Sequence, residues 1–442
     1  MSNTDYFETS VFYQMYPLGL LGAERSNDPA SAPISRLPGL NNWIPHMNRL
    51  GANALYLCPV FESSTHGYDT KDFMNIDRRL GTNADMANFV AECHKNGIKV
   101  VLDAVFNHVG REFWAFRDVV ANRERSSYAG WFHIDFGSNS KFDDGFWYEG
   151  WEGHYSLVKL NLYNPEIRSH IFESVNMWID QFGIDGLRLD VAYSLPHDFL
   201  RELSMFCKHK KPDFWIVGET LHGDYRAMMD GGSIDSVTNY ECYKGLYSSL
   251  NSENLFEIAY SLNRQFGDAN WTLYKDRHLF NFADNHDVAR IASILKEPRH
   301  LPLVYAILFA MPGIPCIYYG SEWGIKGEKN FGDHDLRPQI DSPEWNDLTD
   351  YISTLAKIHK ESRCLTHGGY RQLLLTNTQF IFERYLDGKR VIVTVNMSPE
   401  EYPAHFNANA GCGIDSLTGT KVDFGGGLRL RPYSAMIISD LQ

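Results

Sequence analysis

The sequence predicts an α/β protein centred on a (β/α)8 barrel of the TIM class, with a subdomain inserted after the third strand and a C-terminal β-sandwich domain. Three observations predict it. Short β-rich runs alternate with stretches of helical character, which implies a parallel sheet. That rhythm breaks once, between the third and fourth runs, where residues 109–161 are rich in aromatics and glycine and too long for an idle βα loop. From about Thr366 the helical segments stop and alternating strands take over.

The strand runs, in order, are VFYQMY from Val11, NALYLC from Asn53, KVVLDAV from Lys99, IDGLRLD from Ile184, FWIVGE from Phe214, SIDSVTN from Ser233, HLFNFAD from His278 and IPCIYYG from Ile314. The sixth, between Glu219 and His278, is weakly marked; counting it gives eight strands, which suits a closed barrel. The segments between behave as helices, as in ADMANFVAECHKNG, which is expected to open near an Asn83 to Asp85 cap and to stop at Gly97. The expected boundaries are 1–108 and 162–365 for the barrel, 109–161 for the inserted subdomain, and 366–442 for the sandwich with QFIFERY, VIVTVNM and VDFGGGLRLRP. There is no internal repeat or low-complexity linker.

A chain of 442 residues with 44% hydrophobic content supports a large core. Its formal net charge of -14, with no run of Lys and Arg, argues against nucleic acid or anionic membrane as the main partner. The opening MSNTDYFETS is polar and no apolar stretch reaches the roughly 20 residues of a membrane span, so a cytoplasmic location is expected. Seven cysteines without a close pair indicate neither a disulfide framework nor a Cys-type zinc site.

In such barrels chemistry sits at the C-terminal ends of the strands. The third run ends in DAVFNH with Asp103, Asn107 and His108; the fourth, GLRLDVAYS, carries Arg188 and Asp190; the fifth ends in VGET with Glu219; the seventh ends in FADNHD with His286 and Asp287. A retaining glycosidase needs two carboxyl groups about 5 to 5.5 Å apart, and neighbouring strands lie about 4.8 Å apart, so Asp190 and Glu219 on consecutive strand ends can meet that geometry. Arg188, two residues before Asp190, is expected to hold Asp190 ionised, while Glu219, with no basic neighbour in sequence, is expected to stay protonated as the acid. Taken singly, any of these residues is equally well a structural ion pair; their order on successive strands is what points to chemistry.

These segments resemble the four signature segments of the α-amylase family, glycoside hydrolase family 13, and the resemblance runs from VFYQMYP through HGYDTKDF to GIPCIYYGSEWG. It implies a retaining hydrolase of α-1,4-glucosidic bonds, and of α-1,6 bonds as a further reading, acting on maltooligosaccharides, cyclodextrins or related α-glucans. It implies Asp190 as nucleophile, Glu219 as general acid and base, and Asp287 as the third carboxylate. His108 and His286 would bind the sugar, Arg188 would orient Asp190, Tyr68 would stack on the sugar ring, and Asp333 with Arg337 would form a later sugar-binding pair, which read from the residues alone is a surface ion pair. YAGWFHI, LVKLN and DVAYS are most similar to the neopullulanase, cyclomaltodextrinase and maltogenic amylase branch, which points to small maltodextrins.

The chain departs from that branch at Tyr193 and Ser194, where an asparagine and a glutamate are usual, and no N-terminal β-domain fits ahead of Val11, so the oligomeric state stays open. Many relatives bind calcium beside the inserted subdomain. Asn107 matches one ligand position, but Lys159 stands where an aspartate is common, and a lysine beside a cation that wants six to eight oxygens is unfavourable; no metal or other cofactor is expected. Of Trp114, Trp131, Phe146, Trp147, Tyr148, Trp151 and Tyr155 in the insertion, two are expected to face sugar and the rest to form its core.

Two other functions remain open from sequence. A glucosyltransferase or isomerase would share the scaffold and the glycosyl-enzyme intermediate. A non-catalytic glucan-binding relative is disfavoured because Asp190, Glu219 and Asp287 are all present.

Overall fold

The computed structural model describes residues 5–442, so the first four residues of the polar MSNTDYFETS segment lie outside it. Each expected run contains a strand: β1 Phe12–Met15, β2 Ala54–Leu57, β3 Lys99–Ala104, β4 Gly186–Leu189, β5 Trp215–Gly218, β6 Ser236–Val237, β7 Phe280–Phe282 and β8 Ile314–Tyr318. They pair in parallel in the order β6-β5-β4-β3-β2-β1-β8-β7. A parallel bridge from Thr238 to Phe280 joins β6 to β7 and closes the barrel. β6 has only two residues, which is why its run was so faint. Apart from the leading Lys99, every residue of the eight strands is buried, because one face fills the barrel and the other lies under helices.

The helix after β2 spans Asn83–Lys95, but its cap is Thr82, not a residue within Asn83 to Asp85. Thr82 accepts the Asp85 N–H and the Asp85 carboxylate accepts the Thr82 N–H, a reciprocal capping box that puts Asp85 at the third helical position. Helix Leu301–Ala310 is apolar all round because it is enclosed, packing on helix Asp347–Glu361 and on strands Lys389–Asn396 and Ser434–Ser439 of the C-terminal domain. No helix among the described residues is long and apolar enough to cross a membrane.

Beyond Gly369 a six-stranded antiparallel sheet faces a two-stranded one formed by Tyr402–Ala404 and Leu428–Leu430. Alternation along QFIFERY and VIVTVNM feeds two cores. Phe380, Phe382, Val393 and Val395 join the barrel's core, whereas Ile381 and Ile392 pack with Ile438, Ala404 and Leu430 inside the sandwich.

The inserted segment begins directly at the end of β3. Strand His108–Gly110 pairs with His154–Lys159, which pairs in turn with Gly150–Trp151. Phe116 packs edge to face on Phe132, Phe146 and Tyr148 as its centre. All seven cysteines are free, and all but the partly buried Cys412 are buried.

Candidate active site

The register Leu189↔Gly218 sets Asp190 and Glu219 side by side, one residue beyond the ends of β4 and β5. Arg188 joins them. Its Nη1 lies 2.7 Å from Asp190 Oδ1 and 2.9 Å from Asp103 Oδ1, and its Nη2 lies 2.8 Å from Glu219 Oε1. The sequence-based division of charge is therefore corrected: Glu219 does have a basic neighbour, because a guanidinium fork reaches across to the next strand. Asp190 also differs from expectation. Burial pushes its carboxyl well up, Arg188 pulls it down, and Glu219 and Asp103 push it up again, for a net rise. One buried guanidinium facing three carboxylates makes a cluster suited to holding a proton, as acid catalysis requires.

Position separates the two carboxyls better than charge does. Asp190 Oδ1 is bound by Arg188, while Oδ2 faces His108 Nε2 at 3.9 Å, a buried nitrogen with no hydrogen-bond partner among the described residues. Glu219 Oε2 accepts the Val191 N–H at 3.0 Å, and Tyr240 Oη stands 3.5 Å from Oε1. Val191 adopts φ 48° and ψ 42°, a left-handed conformation costly for a β-branched residue. A Cβ on Gly218 would lie 2.8 Å from Ala192 Cβ and 2.7 Å from Ile234 Cδ1, so glycine lets the turn after Asp190 press against β5.

Asp287 and His286 follow β7 as an ion pair, Nε2 to Oδ2 at 3.0 Å. Burial opposes charge on the His286 ring, but the Asp287 carboxylate, aided by Cys58, raises it to about 10. Burial also opposes the charge of Asp287, yet His286 and then Arg337 hold its carboxyl far below the usual range. Arg337 is buried, donating to the His286 carbonyl at 3.0 Å and to Asp287 Oδ1 at 2.9 Å, with Asp333 farther off at 3.5 Å; it is not half of an isolated surface pair. Tyr68 stacks on the His286 ring at 5.6 Å, touches Nε2 with its hydroxyl, and donates to Asp103 Oδ2 at 3.0 Å. His108 lies under Trp151, ring centres 5.4 Å apart, and burial pushes its imidazole down to about 3, so it is neutral.

The structure thus brings Tyr68, His108, Arg188, Asp190, Glu219, His286, Asp287 and Arg337 to one rim, and Asp333 to its exposed edge. Asp103 stands in DAVFNH at a strand end with no role of its own visible in the sequence. It is the hub that also accepts from Tyr56 Oη at 2.6 Å. Val191 and Tyr240 carried no signal, since a backbone amide and a distant tyrosine follow no motif.

The family description "Alpha amylase, catalytic domain" matches residues 22–364. The chain belongs to the α-amylase family. Neopullulanase 2 of Thermoactinomyces vulgaris is 33% identical over 470 residues, covering 98% of this chain and 78% of that protein. The intracellular maltogenic amylase of Bacillus subtilis is 29% identical over 412 residues, covering 89% and 69%. The solved structure of cyclic α-maltosyl-(1→6)-maltose hydrolase from Arthrobacter globiformis, in complex with that cyclic sugar, aligns with a TM-score of 0.85 at 30% identity, over 99% of this chain and 100% of that one. Like these α-amylase family members, the chain is a glycoside hydrolase.

Where many members of the α-amylase family bind calcium, the donors here do not fit the ion. Lys159 is paired with Glu149 at 2.6 Å, and the Asn107 amide nitrogen sits 3.2 Å from His108 Nδ1. The Lys159 ammonium brings a positive charge to a place where a cation that wants six to eight oxygens would need acceptors. At the side of the cleft where this chain departs from its branch, Tyr193 donates to Glu152 at 2.9 Å, tying the turn after Asp190 to the inserted segment. Of the aromatics in the insertion, Phe146, Tyr148 and Trp131 are buried in its core, whereas Trp151 stacks on a site residue.

Proposed function

We propose that the enzyme hydrolyses α-1,4-glucosidic bonds, and α-1,6 bonds, of short linear and cyclic maltodextrins inside the cell, with retention of configuration and without calcium. Asp190 attacks the anomeric carbon through Oδ2 and forms a glycosyl-enzyme ester, while Glu219 gives its proton to the leaving oxygen and then takes one from the incoming water. Asp287 and His286 bind sugar hydroxyls, the neutral His108 donates to the same ring, and Tyr68 offers it an apolar face. Asp333 and Arg337 extend the contacts outward. The observation that carries this reading is the single Arg188 fork that holds Asp190 and Glu219 at adjacent strand ends.

Support for short and cyclic substrates comes from the Arthrobacter hydrolase, whose sugar is cyclic and contains a 1→6 link, and from its match over nearly the whole of both chains. The cellular location rests on the intracellular amylase of Bacillus subtilis. Product analysis after incubation with maltotriose, a cyclodextrin, and a cyclic maltosyl-maltose tests the proposal, with and without a chelator. Glucose and maltose as main products, undiminished by the chelator, are expected. Longer chains or new linkages as main products would instead establish a transferase.

A further inference from the structure

At the base of the barrel, opposite the catalytic rim, Asp5 and Glu8 of the N-terminal helix, His278 ahead of β7, and His367 at the end of helix Arg363–His367 converge. His367 Nε2 is 3.1 Å from Asp5 Oδ1 and 4.0 Å from Glu8 Oε2, and His278 Nε2 is 3.9 Å from that same Glu8 oxygen. The ligand atoms of Glu8, His278 and His367 all lie within 4.8 Å of one another. We propose that Asp5, Glu8, His278 and His367 form a binding site for one divalent transition-metal ion of the zinc class.

The donor chemistry selects the ion: two imidazoles and two carboxylates are a nitrogen and oxygen set typical of zinc, unlike the all-oxygen set calcium takes. Zinc bonds of about 2.0 to 2.1 Å in a tetrahedron place ligand atoms about 3.3 Å apart, so side-chain movements of about 1 to 2 Å bring Glu8, His278 and His367 to that spacing, and Asp5, already 3.1 Å from His367 Nε2, supplies the fourth corner. The two imidazole rings, 5.2 Å apart and inclined at 68°, are oriented as separate corners instead of stacked. His367 has an outer partner as well: its Nδ1 lies 2.9 Å from Thr366 Oγ1, a hydroxyl that can accept from Nδ1–H in the tautomer whose Nε2 coordinates. Among the described residues His278 makes no side-chain hydrogen bond and its buried Nδ1 has no partner, so hydrogen bonding within them does not explain the ring.

Two carboxylates balance the dication, and four protein ligands leave no open position, so the ion is structural. It would pin the N-terminal helix to the start of β7 and to the connector leading into the C-terminal domain. No step of hydrolysis passes through it.

The test uses the full chain, stripped with a chelator and titrated with zinc chloride by calorimetry and with cobalt chloride by absorption. One zinc per chain with a dissociation constant of about 1 µM or tighter, tetrahedral cobalt bands and a raised melting temperature are expected. The double variant H278Q/H367Q loses at least about 100-fold in zinc affinity and keeps its hydrolysis rate, which also certifies its fold. If that variant fails to fold, H367Q alone serves. Zinc uptake that survives the substitutions, as at Cys58, Asp103 and His286 in the catalytic rim where it would inhibit hydrolysis, overturns the proposal, as does no uptake at all.

Discussion

The Val191 amide donates to Glu219 Oε2 at 3.0 Å from a backbone held at φ 48°. A buried valine in a left-handed conformation costs about 1 to 3 kcal/mol of strain, so the fold tolerates a strained residue beside Asp190 in order to aim one N–H at the neighbouring carboxyl.

Val191→Gly relieves that strain while emptying the side chain's space. The two effects oppose, so the loss of stability should be about 1 kcal/mol or less, against about 2 to 4 kcal/mol for Val100→Gly in β3, where no strain is relieved. Denaturant unfolding of the two variants checks this. Equal losses would mean that the left-handed turn stores nothing.

Arg188 is the one guanidinium that Asp103, Asp190 and Glu219 share. Among the influences on Asp190 it is the one that lowers its pKa, so Arg188→Met should drive that carboxyl further up and move the acid-side limb of kcat/KM to higher pH, with kcat reduced about 100-fold or more. A pH–rate series on folded variant reads it. A limb that stays in place separates Arg188 from the ionisation of the nucleophile.

The two histidines should behave oppositely in a nitrogen-15 NMR titration. Burial pushes His108 down to about 3, and the Asp287 carboxylate overcomes burial to raise His286 to about 10. Between about pH 5 and 8 His108 therefore shows a neutral ring and His286 an imidazolium, neither changing. The linked stability follows. The contribution of His286, whose folded pKa is raised, is full below its unfolded value of about 6.5 and fades as pH rises towards 10; that of Asp287, whose pKa is lowered, is present above about 3.9 and fades in acid. The gap in stability between the parent and His286→Gln should thus be widest between those values.

Tyr193 and Glu152 tie the turn after Asp190 to the insertion through one hydrogen bond of 2.9 Å. Tyr193→Phe removes it, and a bond of about 1 kcal/mol corresponds to about fivefold. The expected result is a rise of that order in kcat/KM for bulky cyclic substrates relative to maltotriose. An unchanged ratio would mean that this link does not set the width of the cleft.

Much of this architecture was legible in the sequence because parallel strands buried on both faces appear as near-continuous apolar runs, and seven of the eight were plain. The sixth was faint because its pairing extends over Ser236–Val237 alone. The polar strand ends named the site's residues, since barrel chemistry gathers there. What stayed hidden depends on distances across strands: the reach of Arg188 to Glu219, the hub at Asp103, and the burial of Arg337 beneath Asp287. The Asp85 carboxylate similarly mimicked a cap, while Thr82 supplied it from one residue before the helix.

The central claim is that Asp190 forms the covalent bond and Glu219 supplies the proton. Its most direct test is trapping with a fluorinated α-glucosyl fluoride, whose good leaving group needs no acid, on the Glu219→Gln variant, followed by mass spectrometry of the peptides. The account predicts one glucosyl ester per chain, on Asp190. An ester on Asp287 or Asp103, or turnover by the Asp190→Asn variant within tenfold of the parent, would contradict it.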